Sequence, residues 1–141
     1  MRISCGFIIK FNNMVLLCHP TKAFDNKSFS FPKGGTEKKD ASFIDTAIRE
    51  CVEEVGIHVN RKLISKNFVV DYTKTNSTKV VKQVHLFLAE ITDLKQIGLN
   101  QLEVPLEQLQ LEEVDWAGFL TKEQSIQKIF WRFKHILEEI L

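Results

Sequence analysis

Three glutamates lie at helical spacing near the middle of the sequence: Glu50, Glu53 and Glu54. At about 100° per residue, Glu54 lies about 40° to one side of Glu50 and Glu53 about 60° to the other, so they share one strip of a helix. Like charges at this spacing repel each other, and we expect no lysine or arginine one turn away to offset them. A divalent cation would neutralise the strip, because Mg²⁺ prefers carboxylate oxygens combined with substrate phosphates. A solvated acidic face is the alternative explanation.

A short glycine-rich segment precedes this strip. At Gly34 and Gly35 the backbone can approach a metal ion or a phosphate without a side chain between them, and Lys33 adds a positive charge beside them. The order of a glycine-rich turn and then an acidic helix favours the binding of a cation and a phosphate over a merely solvated surface.

The acidic strip requires a helix from about Ser42 to Val55. Ser42 is followed three residues later by Asp45, a pattern that resembles a capping box, and Gly56 can adopt the left-handed conformation that ends a helix. The apolar residues of the opposite face recur at intervals of three and four: Ile44, Ala47, Ile48, Cys51, Val52 and Val55.

The remaining pattern predicts a mixed sheet and a second helix. We expect a hairpin turning at Asn12-Asn13, a loop at Pro32–Gly35 where the proline ends strand pairing, and one amphipathic helix with Ile126, Phe133 and Leu137 on its apolar stripe. The predicted strands are Cys5 to Phe11, Val15 to His19, Leu63 to Tyr72, Val80 to Ile91, and Val114 to Leu120.

The segment from Gly35 to Ile57 resembles the conserved box of the Nudix hydrolases. That box runs Gly, five residues, Glu, seven residues, Arg-Glu, an aliphatic residue, any residue, Glu-Glu, any residue, Gly, and an aliphatic residue. In this sequence the Arg-Glu, Glu-Glu and second Gly of the box are present as Arg49-Glu50, Glu53-Glu54 and Gly56. The resemblance implies an α/β (α+β) fold, the Nudix α/β/α sandwich with a mixed β-sheet between helices, formed by one domain over residues 1–141.

Two positions depart from this box. Cys51 stands where an aliphatic residue is usual, a mild change because a buried thiol behaves as a small hydrophobe. Ala41 replaces the first glutamate, which in the family supports the junction of loop and helix and in some members helps the metal site or the base. Asp40 is displaced by one residue, and we expect it to cap the helix rather than to substitute.

The resemblance also assigns roles at the metal. It implies that Glu53 and Glu54 ligate Mg²⁺ or Mn²⁺, that Glu50 is a bridging ligand or the general base, that the Gly35 carbonyl is a further ligand, and that Arg49 orients the glutamates. Many family members bring in another acidic residue from a late loop, and Glu113 lies at the corresponding place. Two solvated carboxylates at Glu112-Glu113 explain that segment equally simply.

Further segments indicate the substrate. Phe29-Ser30-Phe31-Pro32-Lys33-Gly34 resembles the Trp-Ser-Phe-Pro-Lys-Gly segment of Nudix enzymes acting on dinucleoside polyphosphates and on RNA 5′ ends, with Phe29 replacing the tryptophan. Residues 82–89 resemble the strand in which those enzymes carry a lysine ahead of an aromatic run. The resemblance thus implies that Lys33, Lys82, Tyr72 and Phe29 bind substrate. The alternative for Lys82 is a solvated strand residue, and the alternative for Tyr72 is a half-buried aromatic residue of the sheet.

We therefore expect a divalent-metal-dependent hydrolase of phosphoanhydride bonds in nucleoside diphosphate-linked compounds. Dinucleoside polyphosphates are the substrates that we expect it to prefer. The alternatives are an RNA 5′-pyrophosphohydrolase, an ADP-ribose or nucleoside triphosphate pyrophosphatase, and, because of Ala41, a catalytically weak nucleotide-binding module.

Composition limits the partners. Nineteen Lys and Arg against 18 Asp and Glu give a formal net charge of +1, too little to hold the body of a long RNA, so an RNA substrate would be recognised at its 5′ phosphates. We expect a cytoplasmic monomer or homodimer that binds a nucleotide or dinucleotide and no membrane, with Cys5, Cys18 and Cys51 as free buried thiols.

Overall fold

The computed structural model describes residues 1–141, and its helices and strands follow the predicted order closely. In chain order they are β1 (Arg2–Phe11), β2 (Met14–Pro20), β3 (Lys33–Gly35), α1 (Phe43–Val55), β4 (Ile64–Thr73), β5 (Val80–Ile91), β6 (Val114–Thr121), α2 (Lys122–Lys128) and α3 (Lys134–Ile140). Short 3₁₀ turns cover Arg61–Leu63, Leu94–Ile97, Leu106–Gln108 and Trp131–Phe133.

The strands form one mixed sheet in the order β4-β5-β1-β2-β6. β1 and β5 run parallel, and the other pairs are antiparallel. The hairpin between β1 and β2 turns at Asn12, whose φ of 55° is a conformation that asparagine tolerates better than most residues. The predicted mixed sheet and its hairpin are therefore confirmed.

The predicted loop at Pro32–Gly35 is wrong, because Lys33–Gly35 pairs antiparallel with β1. Pro32 has no N–H to donate, but its carbonyl still accepts a hydrogen bond from the Phe7 amide at 3.1 Å. A Cβ on Gly6 would lie 2.2 Å from the Pro32 carbonyl oxygen, so the glycine allows β3 to approach β1.

Helix α1 has the predicted ends. The Ser42 hydroxyl accepts the Asp45 amide at 3.2 Å, and Gly56 ends the helix with a φ of 67°. Ala47, Cys51 and Val55 are fully buried against the sheet. The acidic strip of the helix consequently faces away from the core.

The C-terminal segment is broken, so the prediction of one long helix is wrong. Ile129 and Phe130 are extended between α2 and the following 3₁₀ turn. Phe29 donates its amide to the Lys128 carbonyl at 3.0 Å, and the Phe130 amide donates to the Phe29 carbonyl at 2.8 Å. This distant pairing interrupts the helix, yet Phe133 and Leu137 of the predicted stripe are still fully buried.

Apolar side chains fill both faces of the sheet. One buried cluster joins α1 to one face, and a second joins α3 and its preceding turn to the other. The predicted α/β/α sandwich is confirmed by this arrangement. No helix of the structure has the length and apolar character needed to cross a membrane.

Candidate functional site

Strand β3 contacts the acidic strip of α1 directly. The Lys33 amide donates to Glu54 Oε1 at 3.2 Å. A Cβ on Gly34 would lie 2.1 Å from the carboxyl carbon of Glu50, so any larger residue would displace this carboxylate from its observed position. The local fold therefore brings the glycine-rich segment and two of the three glutamates into contact.

Arg49 gathers several predicted site groups around one guanidinium. Its Nη1 donates to Glu50 Oε1 at 2.9 Å and to both Glu53 carboxylate oxygens at 3.3 Å, and its Nη2 donates to the Gly35 carbonyl at 2.8 Å. The expectation that no arginine offsets the strip is thus wrong. Arg49 reaches Glu53 across one helical turn and turns back onto Glu50.

The other side of the Arg49 guanidinium contacts Asp40. Arg49 Nε donates to Asp40 Oδ1 at 3.0 Å and Nη2 to Oδ2 at 2.9 Å. The expectation that Asp40 caps α1 is wrong, since Ser42 is the cap. The hydrogen bonds from Arg49 hold the pKa of Asp40 well below its usual range, so this carboxylate stays ionised.

Glu54 lies in a cavity of about 160 Å³ that Lys33 and Glu113 also line. Burial, with the nearby charges of Glu50 and Glu113 as smaller contributions, raises the pKa of Glu54 to about 7, although the amide and charge of Lys33 oppose the rise. Burial likewise raises the pKa of Glu50. The structure thus brings Glu113 towards Glu54, and neither of these two carboxylates forms an ion pair.

A group of cationic side chains lies beside Gly35. Arg2, Lys82 and Gly35 line a cavity of about 400 Å³, and Arg2 and Tyr72 flank Lys82 in register on neighbouring strands. Burial and the charges of Lys33 and Arg2 lower the pKa of Lys82. No carboxylate lies within ion-pair distance of Arg2, Lys33 or Lys82.

Arg132 joins this group from the C-terminal segment, and the sequence did not indicate it. Its guanidinium carbon lies 4.6 Å from the centre of the Tyr72 ring, and Lys82 Nζ lies 5.1 Å from the same ring. Arg132 also has no acidic partner. Because the extended residues before it set its direction, a helical projection could not have found it.

Phe29 is placed differently from the other predicted substrate residues. Its side chain is only 7% exposed and packs against His19 and Trp116, with Lys128 Nζ 5.2 Å from the ring centre. The ring therefore supports the segment that leads to Lys33. His85 lies on the α1 face of the sheet against the Phe43 ring.

The donor chemistry around Arg49 fits a hard divalent cation. Glu50, Glu53 and the Gly35 carbonyl already surround a positive charge, and all their donor atoms are the oxygens that Mg²⁺ and Mn²⁺ accept. No three acidic, histidine or cysteine side chains converge on one point. Glu50 and Glu53 are instead held in place by their hydrogen bonds with the Arg49 guanidinium.

The fold is an α/β/α sandwich in which a helix that carries carboxylates lies beside a group of cationic side chains. The family model of the NUDIX domain matches residues 2–129, and the chain belongs to the Nudix hydrolase family. Comparison with curated protein sequences gave no match.

Solved structures resemble the whole chain. A NUDIX hydrolase from Nitrosomonas europaea is 20% identical with a TM-score of 0.68, covering 99% of this chain and 71% of its own. An Ap4A hydrolase from C. elegans is 16% identical with a TM-score of 0.67, covering 99% and 94%. A bifunctional NMN adenylyltransferase/ADP ribose pyrophosphatase from Francisella tularensis, complexed with AMP and a Mn ion, is 18% identical with a TM-score of 0.63, covering 98% and 41%. At these identities the likeness establishes the fold.

Proposed function

We propose that this Nudix protein hydrolyses phosphoanhydride bonds in nucleoside diphosphate-linked compounds, with dinucleoside polyphosphates as the preferred substrates and Mg²⁺ or Mn²⁺ as the cofactor. The observation that carries the proposal is the adjacency of two oppositely charged groups. One is the carboxylate cluster of α1, and the other is the cationic group, of which Arg2 and Lys82 share a cavity with Gly35.

The carboxylates and the Gly35 carbonyl would hold the cation. Glu50, Glu53, Glu54 and Gly35 supply its oxygen ligands in this proposal, and Glu113 approaches from the loop before β6. A divalent cation bound there supplies positive charge to the phosphate oxygens and activates water for attack on phosphorus. Glu50 is a ligand or the base that removes a proton from the attacking water, since burial raises its pKa.

The cationic group would bind the phosphate chain. Lys33, Lys82, Arg2 and Arg132 have no ion-pair partners within the protein, and phosphate oxygens would provide them. Lys33 is the cation beside the carboxylate cluster, because it lines the same cavity as Glu54. Lys82 and Arg132 both contact the Tyr72 ring, so this ring would hold the two cations close together for contact with phosphates.

The preference for a dinucleoside polyphosphate rests on the reach of this group. The cations extend from Lys33 on β3 across β1 and β5 to Arg132 beside Tyr72, which suits several phosphates in a row. Since Phe29 is buried, the sequence from Phe29 to Gly34 contributes through Lys33 and the packing beneath it.

The test is a hydrolysis panel with Mg²⁺ or Mn²⁺. Its substrates are diadenosine polyphosphates, ADP-ribose, nucleoside triphosphates and a 5′-triphosphorylated RNA. We expect the highest kcat/KM on a diadenosine polyphosphate and a loss of about a hundredfold or more in the Glu53→Gln/Glu54→Gln double variant. The matched control is Glu90→Gln/Glu138→Gln, which removes the same charge from two exposed carboxylates outside the site.

The outcomes separate the alternatives. Equal activity of the double variant and its control would refute the metal site. Faster turnover of triphosphorylated RNA would reassign the substrate class. Saturable nucleotide binding with no turnover of any compound would instead identify a binding module.

A further inference from the structure

The Asp40 carboxylate lies in a loop, yet it is nearly buried and accepts several hydrogen bonds. Its side chain is 7% exposed. It accepts hydrogen bonds from Arg49 Nε and Nη2, from Thr46 Oγ1 at 2.8 Å, and from the Glu37 amide at 2.9 Å. Thr46 is itself fully buried, so the Asp40 carboxylate also satisfies a hydroxyl inside the protein.

The Arg49 guanidinium is planar, and Asp40 fixes one edge of it with two hydrogen bonds. The opposite part of the same plane contacts Gly35, Glu50 and Glu53. A bidentate pair of this kind fixes orientation as well as position. The position of Asp40 therefore determines where Arg49 meets these three oxygen donors.

Ala41 cannot perform this task. It is exposed and has no polar side-chain atom, although the glutamate of the Nudix box would stand at this position. The turn from Glu37 to Asp40, closed by a backbone hydrogen bond of 3.0 Å, directs the neighbouring carboxylate towards Arg49 instead.

We propose that Asp40 is the positioning residue of the metal site, acting through Arg49 and replacing the carboxylate that is missing at Ala41. This inference rests on the proposed metal site. Without Asp40, the guanidinium would lose its bidentate partner and keep a longer ion pair with Glu37 at 3.5 Å, so it would be less firmly held away from Glu50 and Glu53, for which it competes with the cation. Loss of a residue that orients ligands typically weakens metal binding about tenfold or more.

The first test observes Arg49 in the metal-free protein. The Nε–H proton of an arginine held by a carboxylate exchanges slowly with water, so Arg49 should give a separate NMR signal. We expect that signal to disappear in Asp40→Asn and to persist in Asp45→Asn. Asp45 is a matched control, because it is an aspartate of the same helix start that contacts Arg61 and Ser42 but not Arg49. An unchanged signal in Asp40→Asn would overturn the proposal.

The second test measures binding of Mn²⁺ alone by calorimetry, without substrate. Asp40→Asn should raise the Kd about tenfold, whereas Asp45→Asn should change it by about twofold at most. If the wild-type protein bound no Mn²⁺, the metal site itself would be refuted together with this role of Asp40. If the wild type bound Mn²⁺ and Asp40→Asn bound it equally well, only the Asp40 proposal would fail.

A double-variant comparison shows whether Asp40 acts through Arg49. In an Arg49→Gln background, Asp40→Asn should change the Mn²⁺ Kd by about twofold at most, because the group it positions is absent. A tenfold effect in both backgrounds would contradict the mechanism. If Asp40→Asn fails to fold, the Arg49 NMR signal of the wild-type protein tests the proposal instead. That signal should persist when Mg²⁺ saturates the protein. Its loss would mean that the cation separates Arg49 from Asp40, which would overturn the proposal.

Discussion

Replacing Glu54 by glutamine should stabilise the metal-free protein at neutral pH. Glutamine keeps the length of the side chain and an oxygen that can accept the Lys33 amide, but it removes a charge from a partly enclosed cavity. Because burial and neighbouring carboxylates oppose this charge, the substitution should help the fold while it impairs the proposed metal site.

The magnitude follows from the pKa of Glu54. The unfolded chain releases this proton near the ordinary pKa of 4.5, whereas the folded protein holds it until about pH 7. Between these values the folded state carries one more proton, so the free energy of unfolding falls as the pH rises. The full difference corresponds to about 3 kcal/mol, an upper limit because water reaches the cavity and screens the charge.

Chemical denaturation in the presence of a chelator, at pH 5 and pH 8, measures this effect. At pH 8, Glu54→Gln should exceed the wild type by about 1–3 kcal/mol, and at pH 5 the difference should shrink to below about 1 kcal/mol. The exposed control Glu90→Gln should stay within about 0.5 kcal/mol at both pH values.

Saturating Mn²⁺ should narrow this difference in stability at pH 8. The wild type gains about 2.7 kcal/mol when the free metal reaches a hundred times its Kd, and the variant, which lacks a ligand, gains less. A stability difference that is the same at pH 5 and pH 8 would refute the burial argument. Equal stabilisation of both proteins by Mn²⁺ would refute the role of Glu54 as a ligand.

Three further substitutions test other parts of the site. Gly34→Ala places a Cβ 2.1 Å from the Glu50 carboxyl carbon, so we expect kcat to fall about a hundredfold. The Cβ of the control Gly35→Ala meets no atom within 4 Å, so its kcat should fall far less. Equal losses of kcat in the two variants would contradict the steric argument. Phe29→Ala should lower the free energy of unfolding by about 3 kcal/mol or more because it empties a buried site, and a change below about 1 kcal/mol in denaturation would show that the ring is not a packing residue. Arg132→Ala should raise KM about tenfold and leave kcat within about twofold in steady-state kinetics, whereas a loss confined to kcat would argue against phosphate binding.

Local signals predicted α1 well. Its start at Ser42, its end at Gly56 and its buried face all depend on residues within the helix or next to it. The sheet was predicted almost as well, since hydrophobic runs locate strands. The sequence could not show that Lys33–Gly35 is a strand, because that pairing depends on the absence of a side chain at Gly6.

Parts of the site that depend on distant residues were missed or misjudged. Whether Asp40 caps a helix or pairs with Arg49 is decided by the path of the loop, not by its spacing from Ser42. Arg132 reaches Tyr72 only because the C-terminal segment leaves the helical path to pair with Phe29. A helical projection assumes a continuous helix and therefore places such residues on the wrong side.

The pairing of Phe29 with Lys128 and Phe130 also has a consequence for the order of folding. These hydrogen bonds connect the segment leading to Lys33 with residues about a hundred positions later in the chain. Contacts so distant in sequence form slowly, and on the ribosome they cannot form until the later residues have emerged. The helix with the carboxylates precedes these residues in the chain, so the proposed phosphate-binding side of the site is completed only after Lys128 and Phe130 have emerged.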